Sequence, residues 1–233
     1  MWFRRAAAPA ADPRTDAWAA LAARLEAAPL AEDALAALEA EVPEDVGRVA
    51  APHHLPRTRG PWLVAFDALR PDPHGRGGPV PRPVLHLRGT PPVGGTPAAP
   101  VAPPWPDDVA LRAFPNDHPL LARLEAGRAG ATSVATDDPA FDAAVGVVAR
   151  DARRVAAWLG HDAAAGVRAA LRTLLRDPHL PEARLVLGAD RLAWQALAPV
   201  EPPLDALETA AVHLFGVWAA LDVRAHRADP TAA

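Results

Sequence analysis

Polar and apolar residues follow one another most regularly between residues 136 and 194. Thr136, Asp137, Asp138 and Pro139 form a turn cluster, and the apolar run over 141–148 predicts a strand. Two helical periods follow. Val155, Trp158 and Leu159 mark the buried side of the first, and Val167, Leu171, Leu174 and Leu175 that of the second. Gly160 stands between them as a left-handed cap. Residues 177–181 break the second helix, 183–187 predicts a strand, and Gly188, Ala189 and Asp190 turn it back into another over 192–197.

Upstream, Trp18, Leu21 and Leu25 keep helical spacing behind Thr15 as cap, and Pro29 ends that helix. A second short helix over 31–41 carries Leu35, Leu38 and Val42, so the two predict a helical hairpin. Residues 44–60 lack a sustained period and read mostly as loop, with a short strand at 47–51. The runs 62–69 and 84–87 predict strands, joined by an exposed loop rich in proline and glycine. Residues 89–108, GTPPVGGTPAAPVAPPWPDD, read as a linker with polyproline II character. A strand over 109–114, a short helix with Leu120, Leu121 and Leu124, and a strand over 132–135 lead back to the central block. The last element is a long helix over 203–224 with Leu204, Leu207, Ala211, Leu214, Trp218 and Leu221 at heptad spacing. Its middle, 210–221, is apolar nearly all round, but it is shorter than a membrane span and is interrupted by His213, which points to a core or partner-facing helix.

These elements predict an α+β protein: a mainly antiparallel sheet, an N-terminal helical hairpin, a helix pair at about 150–176 and a long C-terminal helix packed on the sheet. The expected organisation is a disordered tail over 1–14, one domain over 15–227 and a second tail over 228–233, with a division into 15–88 and 109–227 left open. The stretch DDPAFDAAVGVVARD, the helix pair and RLVLGADRLAW together resemble uncharacterised bacterial domains of unknown function, in which a phenylalanine-containing strand precedes helices and a closing hairpin. That resemblance covers 136–197 and implies no activity.

Composition changes the picture in three ways. Basic residues number 24 against 28 acidic ones, a net charge of -4, which gives no broad attraction to nucleic acid or anionic membrane. All 24 basic residues are arginine, and with the abundant alanine, proline and glycine this fits a GC-rich genome, so arginine is the default cation. The absence of cysteine removes disulfides, thiolate nucleophiles and cysteine-ligated metals. The opening residues contain Arg4 and Arg5, but Asp12 and two prolines interrupt any signal-peptide core, so a cytoplasmic location is expected.

Candidate chemistry is sparse. The nine histidines show none of the spacings HxH, HxxxH or HExxH, so no metal or cofactor is expected. Asp162 beside His161 and Asp117 beside His118 read as helix caps. The one serine, Ser133, lies in a predicted strand without a nucleophile elbow, and no P-loop lysine exists. Asp107 with Asp108 and Asp137 with Asp138 read as turns. One polar pattern is regular: Arg168, Arg172 and Arg176 stand four apart on one helix face, suited to phosphate, nucleic-acid backbone or an acidic partner, or to a solvated face.

The expected function is a non-enzymatic scaffold or interaction domain. Its contact surface would be the arginine row or the C-terminal helix at Leu214, Trp218 and Leu221, and its partner a second copy or an acidic protein. Two alternatives stay open: a small-molecule or lipid-binding domain with an apolar pocket between sheet and last helix, and a hydrolase with a dispersed histidine and aspartate site.

Overall fold

The computed structural model describes residues 13–30, 38, 48–55, 61–70, 79–89, 104–106, 109–117, 119–127, 130–189, 191–201 and 203–228. Nine strands among them form one sheet: β1 (Ala28–Pro29), β2 (Arg48–Leu55), β3 (Trp62–Arg70), β4 (Val80–Arg88), β5 (Leu111–Pro115), β6 (Thr132–Val134), β7 (Val145–Ala149), β8 (Ala183–Leu187) and β9 (Arg191–Ala196). Their order is β1-β2-β3-β4-β9-β8-β5-β7-β6, and every pairing is antiparallel. The described helices are α1 (Pro13–Arg24), α2 (Pro119–Gly127), α3 (Pro139–Ala144), α4 (Ala152–Gly160), α5 (Ala165–Arg176) and α6 (Ala206–Ala228), with a 3-10 turn at Asp162–Ala164. The α+β class, the antiparallel sheet and the long C-terminal helix are as predicted. Because β4 pairs with β9, the stretches on either side of 89–108 contribute to one sheet.

Strand alternation gives the sheet two different faces. Leu63, Ala65, Leu85, Leu87, Leu192 and Trp194 enter the main core, where they meet Trp18 and Leu21 of α1, Leu159 of α4, Leu171 of α5 and Leu214 of α6. Each such leucine taken from water contributes about 1.5–3 kcal/mol. The opposite face carries Val64, Phe66, Ala68 and Val84, which cluster with Leu30 and Leu38. α2 also lies on that face, since its Glu125 meets Arg112 and Arg184, residues that alternate with core positions of β5 and β8.

Several expectations need correction. The run over 141–148 is not one strand. Asp138 accepts a hydrogen bond from the Phe141 amide at 3.0 Å and Pro139 follows it, which starts α3, and the strand begins only at Val145. Gly160 is not a left-handed cap: α4 ends at His161 with φ -61, and the described glycine at positive φ is Gly130. The supposed loop over 44–60 holds the eight-residue strand β2, whose register shifts between Ala50 and His53. Pro52 falls in that irregularity, where a missing N–H costs no ladder bond.

The loop before residue 84 is shorter than expected. β4 pairs with β3 from Val80 but with β9 only from Val84, so Pro81 and Pro83 sit where the described strand has a neighbour on one side alone. α1 starts at Pro13 and ends at Arg24, so Arg14 belongs to a helix, and Pro29 lies in β1. The second helix of the expected hairpin falls outside the described residues, apart from a buried Leu38, as do 1–12 and 229–233.

Candidate functional site

The arginine row on α5 does not act as one surface. Arg168 is turned inward, its side chain 12% exposed: Nε donates to Asp138 Oδ2 at 3.0 Å, and Nη1 donates to the carbonyls of Leu159 and His161. It therefore satisfies carbonyls left open at the end of α4 and ties them to the cap of α3. Arg176 pairs with Asp117 at 2.6 Å, both exposed. Arg172 is exposed. The Asp138 carboxyl is held below its ordinary range, first by the Phe141 amide, then by Arg168 and by the charge of Arg172.

α6 reverses the expected division of labour as well. Leu214, Trp218 and Leu221 lie in the chain's own core, so they are not available as a contact surface. Trp218 meets Trp105 edge to face at 5.0 Å, and Trp105 Nε1 donates to the Gly188 carbonyl at 2.6 Å. Arg224 stacks on Trp158 at 4.4 Å and donates to its carbonyl, which anchors the end of α6 to α4. The opposite stripe, Thr209, Val212, Gly216, Ala219 and Val223, faces outward at spacings of three and four. Val212 is 63% exposed and Val223 50%. Between Glu208 and Asp222 the helix has no fixed charge. The window Ala206–Ala225 is long and apolar enough for a membrane span, a length the 210–221 run did not reveal, and only 39% of it is buried.

Across the sheet from α6 lies a buried ionic network. Glu125 accepts from Arg112 Nη1 at 3.0 Å and from Arg184 Nη1 at 2.7 Å, and Arg184 Nε donates to Gln195 at 2.7 Å. Beside it is a cavity of about 250 Å³ with Arg112 and Arg150 in its wall. Sequence periodicity missed Glu125, because the apolar neighbour Leu124 is the residue that points out, 59% exposed.

Leu85 and Trp194 of the sheet belong to one buried cluster with Leu207 and Leu214 of α6, and the cavity under α1, beside Trp18 and Leu63, holds about 10 Å³, which is room for about one water. His213 Nε2 stands 3.0 Å from Asp177 Oδ2. The Asp177 carboxyl is held below its ordinary range first by the His179 amide and then by His213. A cleft of about 300 Å³ beside that pair is lined by Asp117, Arg176, Asp177 and Glu182 among others, with no hydroxyl nucleophile in its described wall. His161 caps the 3-10 turn through Nδ1, accepting from the Ala163 amide, where Asp162 was expected to act. No group of three metal-ligating side chains occurs among the described residues. No family model matches the chain, and neither the curated proteins nor the solved structures contain a match to it.

Proposed function

We propose that the chain is a non-enzymatic interaction domain that pairs with a second copy of itself through the outward face of α6. The observation that carries this reading is the exposure of Val212 and Val223 on a stripe without fixed charge. Solvated helix faces are normally charged, and an exposed apolar patch on a folded domain is a contact surface in waiting.

The stripe suits a twofold arrangement in particular. Reversing α6 about Gly216 brings Val212 of one copy against Ala219 and Ala220 of the other, and Val223 against Thr209, so larger side chains meet smaller ones. Gly216 meets itself and lets the two backbones approach closely. Sedimentation of the full chain tests this. The wild type sediments as a dimer, Val212→Asp as a monomer, and the remote Arg172→Gln as the wild type. A wild-type chain that stays monomeric at every concentration ends the reading.

A further inference from the structure

The cavity on the sheet face away from α6 has a simple origin in the sequence. Positions on that face at the ends of β5, β7 and β8 are Ala110 and Arg112, Val148 and Arg150, Val186 and Gly188. Register sets Val148, Arg112 and Val186 side by side across three strands. Two valines, an alanine and a glycine leave a trough that the two arginine side chains border. At about 250 Å³ it exceeds the volume of roughly 150 Å³ that accommodates benzene in an engineered core.

Arg112 is prepared for a ligand. Its Nη1 is held by Glu125, which anchors one corner of the guanidinium, while Nε and Nη2 have no hydrogen-bond partner among the described residues. Glu125 also holds Arg184, and Arg150 stands at the rim of the trough. Planar, pre-oriented guanidinium donors match carboxylate and phosphate oxygens.

We propose that this trough binds a small organic oxyanion, a carboxylate or phosphate monoester on a compact apolar body, with the anion on Arg112 and Arg150 and the body on Val148 and Val186. The site is independent of α6 and of the pairing argued above.

Titration of the full-length protein by calorimetry with benzoate, phenyl phosphate, inorganic phosphate and benzyl alcohol tests it. At least one of the two aromatic anions saturates with a Kd on the order of 1 mM or tighter, and which of them binds more tightly tells carboxylate from phosphate. Inorganic phosphate and benzyl alcohol, each lacking one half of the ligand, bind about tenfold more weakly or not at all. Arg150→Gln weakens binding about tenfold through the loss of a charge-assisted contact, and Val186→Phe fills the trough and abolishes it. Arg150→Gln changes an exposed side chain, so the test stands even where Val186→Phe does not fold. Absence of saturable binding by both aromatic anions overturns the proposal. So does full affinity in Arg150→Gln, or benzyl alcohol binding as tightly as benzoate.

Discussion

The ring of Phe114 lies on Gly146, its register partner across β5 and β7: a Cβ at position 146 would fall against Cε2 and within 2.9 Å of Cζ. Phe114 is buried, so the ring cannot swing into solvent. Gly146→Ala should therefore cost roughly 1–3 kcal/mol by overpacking. Phe114→Leu combined with Gly146→Ala should cost less than the sum of the single changes, because the pair shares one space. Urea unfolding of the four proteins measures both. Additive effects would separate the two residues.

His86 predicts an acid sensitivity. It is 2% exposed, stands edge to face with Phe66 at 5.0 Å, and neither ring nitrogen has a hydrogen-bond partner among the described residues. Burial first, then the charges of Arg191 and Arg88, push its pKa from 6.5 to about 3. The unfolded chain therefore takes up a proton between pH 6.5 and 3 that the folded chain refuses. Stability falls with pH across that window by up to about 1.4 kcal/mol per unit from this group, and is untouched by it above pH 6.5. Carboxylates titrate in the same range, so the readout is the difference between wild type and His86→Leu. That difference should move in favour of the leucine protein as pH drops from 7 to 4. A difference independent of pH would mean that the imidazole takes up its proton in the fold as readily as in the unfolded chain.

A buried carboxylate ties the start of the first helix to the sheet. Asp67 of β3, 2% exposed, accepts from Arg14 Nε at 2.6 Å, from Arg14 Nη2 at 2.5 Å and from Trp18 Nε1 at 2.6 Å, while Arg14 Nη1 reaches the Val200 carbonyl at 2.6 Å. Arg14→Leu leaves the buried charge with the indole alone and should cost about 3–5 kcal/mol. Hydrogen exchange should show the loss first in α1. Uniform slowing or no change along α1 would place its anchor elsewhere.

The arginines of α5 should separate in the same experiment. Arg168→Gln removes donors to Asp138 and to the end of α4 and should cost roughly 2 kcal/mol. Arg172→Gln, at an exposed position, should stay within about 0.5 kcal/mol of the wild type. Equal effects would restore the row as a single surface.

What the sequence reveals depends on whether burial follows hydrophobicity. It does in α4, α5 and α6, whose inward stripes are the apolar positions their period marks, Trp158, Leu171 and Leu214 among them. It fails where a polar group is buried by partners distant in the chain. Glu125 goes inside because Arg112 and Arg184 lie 13 and 59 residues away, and Arg14 because Asp67 is 53 away. The outward stripe of α6 is hidden for a related reason: a helix apolar nearly all round does not say which side the sheet will cover. The residues of α3 resemble a strand in the sequence because six are too few to display a helical period, while the cap that makes them a helix is a single hydrogen bond.

The chain's lack of cysteine makes the proposed orientation of the α6 pair directly measurable. A Cβ at Gly216 meets nothing within 4 Å, so Gly216→Cys can be introduced without strain and even removes the roughly 1 kcal/mol penalty of a helical glycine. About a twofold axis through Gly216 the two thiols face each other, so mild oxidation should give a covalent dimer in good yield. Thr209→Cys should not link to itself in an antiparallel pair, because its counterpart is at the far end, but it should link to Val223→Cys when the two proteins are mixed. A parallel pair gives the reverse pattern, with Thr209→Cys linking to itself as readily as Gly216→Cys. Gly216→Ala should raise the melting temperature of the single chain while loosening the dimer, and Gly216→Leu should hold the helices apart and dissociate it. A Gly216→Leu chain that still sediments as a dimer would move the contact off this face.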